Sequence, residues 1–481
     1  MNSMQSVLDY FDQICAIPRC SGNEKRISEW IQEWAKAHSF DYKIDSIGNL
    51  VIYIPASTEY LKAPTIILQG HLDMVCEKTP DSQHNFLTDP IYPIVDNDWI
   101  KTKDTTLGAD NGIAIALAMA IATDDSFLHP PLELLFTVNE ETGLNGAIEL
   151  DTNLISGRLL INMDSEEEGI IIIGCAGGHE TNFKIPLKYK PITEQNALFR
   201  IQVSGLIGGH SGVDIHRGRA NAIQVLARVL QVLEQQLHYE LIHIQGGTAH
   251  NAIPRNAEAI IAFPFVNHYD FQKCISDCEI LMQQTYAIED SQISITLSEV
   301  DSSRFKYQAI DYDITDKMIP FLVAFPHGVD GLQTYDQQLF IETSSNLAIL
   351  GIHDDTVHIT TTQRSSNLFK LTELHAKIQN LSFLSGYTPI NRNKYPPWKP
   401  ASKSPLLDRC QSIYSTLFHK QPNIQIMHAG LECAIIGNNL IDMDMISIGP
   451  TIKNAHSPFE TMHIPSVEKV YNLLKALLSS Y

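Results

Sequence analysis

Residues 105–120 read TTLGADNGIAIALAMA, and this stretch constrains the chain more than any other. Gly108 and Gly112 bracket Asp110 and Asn111, and an apolar, helix-like run begins at Ile113. The glycines let the backbone turn sharply, so a short carboxylate can sit at the mouth of a helix and not along its side. A lone Asp in such a turn is ordinarily a helix cap. Four other segments of this chain, however, each end in a residue able to bind the same metal as Asp110. A carboxylate has two oxygens with which to bridge two ions, so Asp110 is the candidate shared ligand of a two-metal site of the hydrolytic kind.

The surrounding pattern alternates strands and helices. After residues 21–23 (Ser-Gly-Asn), Ile27, Trp30, Ile31 and Trp34 recur on one face of an expected helix. Short β-rich runs follow at 49–54 and at 65–68, the latter leading into Gly70-His71-Leu72-Asp73. Residues 132–138 read as a buried strand ending in Asn139-Glu140-Glu141, and 159–163 as another ending in Asp164. Such alternation predicts an α/β domain whose sheet is covered on both faces, with chemistry just past the strand ends.

The texture changes near residue 183. Strands are expected at 198–203, 241–244, 257–263, 293–300, 345–351 and 356–362, and helices at 221–233, 271–282 and 367–381. The similar order of elements suggests a duplicated α+β unit without a fixed-period repeat. Residues 395–400 (Tyr-Pro-Pro-Trp-Lys-Pro) read as a linker, and 406–418 resume as a helix. The expected division is therefore 1–182 with 402–481 as one domain, and 183–401 as an inserted domain. At 481 residues, two domains are also the expectation from length.

Composition narrows the function classes. The net charge of −21, without a long basic cluster, argues against nucleic acid and anionic membranes as partners. The first twenty residues carry Asp9 and Asp12 and lack a basic start followed by a long apolar core, so no signal peptide is expected. No apolar run reaches membrane-spanning length. The eight cysteines are scattered, which predicts a reducing, cytoplasmic setting and no disulfide framework. Cys274 and Cys278, one helical turn apart, are expected to pack and not to clip a metal.

The candidate ligands follow from residue type and position. His71-Leu72-Asp73 is an H-x-D tripeptide; the same pattern at His268 and His353 shows how little it means alone. Only His71 directly follows an apolar run and a glycine in the domain holding the other candidates. In extended chain, residues i and i+2 face the same way, so Asp73 can reach the far nitrogen of the imidazole and fix its tautomer. The adjacent carboxylates Glu140 and Glu141 suit different tasks, one as ligand and one as general base. Asp164 is the plausible ligand of the run Asp164-Ser165-Glu166-Glu167-Glu168, whose glutamates read as a solvated face. His456 lies in a turn-rich loop. A set of histidines and carboxylates suits zinc, cobalt or manganese.

Together these segments resemble the M20 metallopeptidases, and closely their aminoacyl-histidine dipeptidase branch. The resemblance runs almost end to end through QGHLDMV, TTLGADNGIA, NEETGLNGA, NMDSEEEG, GCAGG, GGHSGVDIHRG, NAIPR, NIQIMHAGLEC, DMDMISIGPTI and AHSP. It implies a catalytic domain with a mixed, helix-covered sheet plus an inserted α+β lid domain. It implies two divalent ions, zinc foremost: one held by His71, Asp110 and Asp164, the other by Asp110, Glu141 and His456. Asp73 would orient His71, and Glu140 would be the general base on a metal-bridging water. His210 would stabilise the oxyanion, while Arg364, Gly430 and nearby Asn251 would hold the substrate. The implied activity is cytosolic hydrolysis of dipeptides, including Xaa-His and β-alanyl-histidine, by a chain that can pair as a homodimer. Ala249-His250 precedes Asn251 where the family pattern would have a larger residue and a basic one, which implies a shifted substrate preference. Other M20 amidohydrolase activities (N-acyl-amino-acid deacylase, longer-peptide exopeptidase) and a non-catalytic metal-binding role are the alternatives.

Overall fold

Short strands of four to six residues form the first sheet. The computed structural model describes residues 3–193, 195–301, 308–335 and 338–481. By contact the chain separates into two units: Met1–Cys175 with Trp398–Met427 and Leu431–Tyr481, and Ala176–Pro397 with His428–Gly430. These cuts differ from the expected 182/183 and 401/402. The first cut moves because strand Gly177–Pro186 pairs along its length with Thr356–Ser365 and so joins the second sheet, and the second because Trp398 bridges Cys175 of the first unit.

In the first unit an eight-stranded sheet runs in the order Asp41–Ile44, Leu50–Ile54, Leu132–Thr137, Ile66–His71, Leu159–Asn162, Asp444–Ser447, Ile170–Cys175, Asn423–Met427. Leu132–Thr137, Ile66–His71, Leu159–Asn162 and Asp444–Ser447 are mutually parallel, while Leu50–Ile54 joins antiparallel. Every residue of Ile66–His71 and Leu132–Thr137 is buried, as a strand covered on both faces requires. The helix Ala109–Ala122 is buried along its whole length, which explains the unbroken apolar run from Ile113 to Ala122. Helices Ser3–Cys15, Lys25–Ala37, Pro405–Phe418 and Ile464–Leu478 belong to the same unit. In Lys25–Ala37, Ile27, Ile31 and Trp34 form the buried face.

The second unit holds a nine-stranded sheet with Ser294–Glu299 at one end of its path and Ile390–Tyr395 at the other. Eight strands form the path: one half reads Ser294–Glu299, Asn196–Ser204, Ala257–Pro264, Glu240–Gly246; the other reads Gln338–His353, Thr356–Ser365, Gly177–Pro186, Ile390–Tyr395, and the ninth strand, Gly328–Tyr335, pairs with Gln338–His353 off the path. Numbered by chain order within each half, the first is 4-1-3-2 and the second 2-3-1-4, a mirrored arrangement. Alternation sorts the strands' side chains. Phe199, Ile201, Val203, Ile261 and Phe263 enter the large core with helices Ala222–Gln236, His268–Thr285, Tyr312–Ala324 and Leu368–Ser385. Leu198, Ile260 and Ala262 pack into a small second core with Ile192 and Ala309. Cys274 and Cys278 are buried on His268–Thr285, within the large core.

One expectation about cysteine is corrected. Cys20 and Cys76 form a disulfide across 56 positions, whereas no disulfide was expected. The segments meet because Cys20 bridges Met74 in parallel, with the Met74 amide donating to the Arg19 carbonyl at 3.1 Å. The other six cysteines are buried thiols. Among the described residues, no helix is long and apolar enough to cross a membrane.

Candidate metal centre

The candidate ligands of the first unit come from strand ends and from two loops. Gly108 takes φ +71° at the turn before Ala109–Ala122, and a cis peptide bond joins Asp110 to Asn111. The two carboxylate oxygens of Asp110 face two different imidazoles: Oδ1 lies 3.1 Å from His71 Nε2, and Oδ2 lies 2.9 Å from His456 Nε2. Each imidazole faces a further carboxylate, Asp164 at 3.5 Å from His71 and Glu141 at 3.1 Å from His456. Donor atoms of His71, Asp110 and Glu141 lie within 4.8 Å of one another.

Asp73 organises two neighbours at once. His71 Nδ1 lies 3.1 Å from the Asp73 carbonyl and 3.3 Å from its carboxylate. That carboxylate also accepts the amides of Glu140 at 3.0 Å and Glu141 at 3.1 Å, and the Ser21 hydroxyl at 2.7 Å. The strand Leu132–Thr137 therefore ends in a bend, with Asn139 at φ +55°, and adjacent glutamates turn where a straight strand would send them apart. Asn111 supports the other side, accepting the His71 amide at 3.1 Å and donating to Asp164 Oδ1 at 2.8 Å.

Charge in the cluster is lopsided. Burial alone would push both imidazoliums down, yet the surrounding carboxylates outweigh it. His71 rises well above its ordinary range beside Asp110, Asp164 and Asp73, and His456 rises to about 11 beside Asp110 and Glu141. Burial raises Glu140 well above the usual carboxylate range, helped by Glu141 and Asp164 and opposed by His71. Glu141 is raised by burial and by Asp110, and Asp164 by burial. Asp73 moves the other way, to about 2: burial would raise it, but His71, the Glu140 amide and Ser21 prevail. Glu141 Oε1 is buried without a hydrogen-bond partner. Crowded carboxylates, two imidazoles and an orphaned carboxylate oxygen form a donor set that fits divalent cations.

The candidates of the second unit form two groups. His210 sits in the short strand Gly209–His210, paired with Ala252–Ile253. Its Nδ1 accepts the amides of Gly212 at 3.2 Å and Val213 at 3.1 Å, so the ring proton of the neutral form lies on Nε2. Asn251 joins this loop through its carbonyl, which accepts the Ser211 amide at 2.8 Å. In the other group, Arg364 Nη1 donates to Tyr395 Oη at 3.0 Å. Gly430 backs the same tyrosine, whose ring would lie 2.9 Å from a Cβ at that position. His428 links the groups, since its carbonyl would lie 2.3 Å from a Cβ on Gly212.

Sequence reasoning assigned no role to several of these residues. Arg19, Asn111, Glu432 and Glu460 are buried polar groups beside the candidate ligands, and Tyr395, in the expected linker, holds Arg364. Glu432 Oε2 accepts Gln69 at 2.5 Å and Thr137 at 2.7 Å, tying together two strands that end in candidate ligands. For Arg19, Glu432 and Glu460 the only signal is a charged residue in otherwise apolar or turn-rich sequence, as with Arg19 after Ile17-Pro18.

A strand-end cluster of histidines and carboxylates on a mixed, helix-covered sheet, in a chain that also holds an α+β unit, is the architecture of a metallopeptidase. The chain is 38% identical over 477 residues to the cytosol non-specific dipeptidase of Escherichia coli (strain K12), covering 99% of this chain and 97% of that one. It matches the crystal structure of aminoacylhistidine dipeptidase from Vibrio alginolyticus with a TM-score of 0.83 and 33% identity, over 99% of this chain and 96% of that one. Residues 201–290 match the peptidase dimerisation domain of the M20 peptidases. The aminopeptidase PepT of Bacillus cereus shares the fold at TM-score 0.56 and 15% identity, over 99% of this chain and 98% of that one. The chain belongs to the M20 peptidase family.

Proposed function

We propose that this chain is a metal-dependent dipeptidase of the cytoplasm that accepts dipeptides with C-terminal histidine, β-alanyl-histidine among them. The observation that carries this reading is Asp110, whose two oxygens face His71 and His456. His71, Asp110 and Asp164 would hold one divalent ion, and Asp110, Glu141 and His456 a second, with zinc preferred and cobalt or manganese as substitutes. Bound ions supply Lewis acidity toward the scissile carbonyl and acidify water. Glu140 takes the proton of the attacking water and returns it to the leaving amine, and burial suits it to hold that proton. Asp73 keeps His71 in one orientation through its Nδ1 side. His210 offers its Nε2 proton to the developing oxyanion. Arg364, Asn251 and the close-packed backbone at Gly430 recognise the substrate.

The names of the relatives support the substrate class, one being non-specific toward dipeptides and the other aminoacylhistidine-directed. The match over residues 201–290 supports a homodimer through the second unit. The cytoplasmic assignment rests on the relative named for the cytosol. The test is a substrate panel on metal-reconstituted protein: dipeptides with and without C-terminal histidine, a tripeptide and an N-acyl amino acid. Cleavage of the dipeptides alone is expected. Preferential turnover of the N-acyl amino acid or the tripeptide would move the chain to another M20 activity.

A further inference from the structure

Arg19 and Glu460 are almost fully buried, at 1% and 2% exposure, and neither is a candidate ligand, base or substrate contact. Burying a charge is costly unless its hydrogen-bonding capacity is met, and here most of it is met by the 107–110 turn and by the carbonyls of Leu72 and Asp73, with Arg19 Nε left without a partner. Glu460 Oε2 accepts the amides of Leu107 at 2.8 Å and Gly108 at 2.9 Å, and Oε1 accepts that of Asp110 at 3.2 Å. From the other side, Arg19 Nη2 donates to the Gly108 carbonyl, while Nη1 donates to the carbonyls of Leu72 at 3.0 Å and Asp73 at 2.8 Å. Gly108 is thus gripped by an anion at its N–H and by a cation at its carbonyl.

The two glycines of the Asp110 motif acquire a reason. A Cβ on Gly108 would lie 2.7 Å from Arg19 Nη2 and from Met74 Sδ, and one on Gly112 would lie 2.6 Å from the same Arg19 nitrogen. The guanidinium fills the space those side chains would need. Glu460 also replaces a local cap. An aspartate at a helix start ordinarily spends its carboxylate on nearby amides, and the cap residue here, Gly108, has no side chain to offer. Because Glu460 takes those amides, both Asp110 oxygens are left to face His71 and His456. Glu460 lies four positions after His456, so the same contact holds the His456 loop in register with the Asp110 turn.

We propose that Arg19 and Glu460 form a buried clamp that sets Asp110 for two ions before either ion arrives, making both residues positioning residues of the metal site. This rests on the two-ion reading above. The decisive comparison uses full-length, metal-stripped protein carrying Glu460→Gln or Arg19→Lys, titrated with zinc and then assayed on a dipeptide at saturating zinc. Each variant should bind zinc about 10–100-fold more weakly, the range for loss of a group that orients ligands. At saturating zinc, kcat should stay close to that of the parent. Amides of Leu107, Gly108 and Asp110 should exchange hydrogen faster in the stripped variants while the sheet amides keep their protection.

Wild-type zinc affinity in both variants would reduce the pair to a buried polar pair of the core and overturn the clamp. A fall in kcat at saturating zinc with unchanged affinity would overturn it too, since the residues would then act on the chemistry. Should Glu460→Gln fail to fold, Arg19→Lys carries the same two readouts. Failure of the parent chain to bind zinc or another divalent ion would sink the metal reading instead, and the exchange rates of the three turn amides would still decide whether the clamp holds the turn.

Discussion

His71 and His456 of the first unit and His428 and His179 of the second show how surroundings decide what one side chain can do. The first pair faces carboxylates, and those carboxylates override burial and raise the imidazoles, His456 to about 11. His428 has the opposite company. Burial, then Arg364, His210 and His216, push it down to about 3 while Ser344 Oγ lies 2.7 Å from its Nε2. His179 is lowered to about 4 by burial, His375 and Lys394. Excess negative charge suits the first cluster to cations, whereas burial and neighbouring cations keep His428 and His179 neutral. Both belong to a protein of net charge −21, so local arrangement and not overall charge sets the chemistry.

The contrast can be broken most severely at Asp110. Asp110→Asn removes the carboxylate shared by both imidazoles, and zinc should be lost from both positions. Turnover should fall by more than about 100-fold, beyond what a supporting partner alone contributes. His456→Ala should weaken chiefly one position. Metal analysis beside turnover checks this, and full activity with one tightly held ion per chain would end the two-ion account.

Glu140→Gln sharpens the first unit's side of the comparison. It keeps shape but removes the base, so kcat should fall roughly 10²–10⁴-fold with zinc content intact. Glu141→Gln should instead lower occupancy, with partial rescue by excess metal. The reverse pattern would exchange the two roles.

In the second unit, His210→Ala should lower kcat about 100-fold or more, the scale of one oxyanion donor, and leave zinc content unchanged. Wild-type kcat would reduce His210 to a loop residue. The smallest effect concerns His428 and stability. Its folded pKa, about 3, lies below the ordinary histidine value of 6.5, so the unfolded chain binds the extra proton between them. The neutral imidazole's contribution is complete above pH 6.5 and is lost progressively as pH falls toward 3. His428→Gln should therefore show a shallower drop in Tm between pH 7 and pH 5 than the parent. An equal slope would assign the acid sensitivity to other groups.

What a reader of the sequence can recover is the local part. Ile66–His71 and Leu132–Thr137 announce themselves as apolar runs closed by polar residues, because strand burial and turn chemistry act over a few neighbours. The same logic picks out His71, Glu140, Glu141 and Asp164 as residues past strand ends, and Gly108 with Asp110 as a turn at a helix start. The bend at the glutamates was legible only in part. The backbone turns at Asn139 under the grip of Asp73, 67 positions away from Glu140.

The rest was decided by tertiary structure, for one physical reason: long-range pairs leave no local periodicity. Glu460 meets the amide of Asp110 across 350 positions, and Glu432 meets Gln69 across 363. Cys20 and Cys76 looked like two scattered thiols until a parallel bridge between Cys20 and Met74 brought their segments together. Tyr395 looked like linker until Arg364 and Gly430 closed on its ring. The sequence by itself determined where strands and turns lie and which chemically able residues stand at their ends. Only the folded chain decided which carboxylate each imidazole faces, and which buried charges hold the turn that presents Asp110.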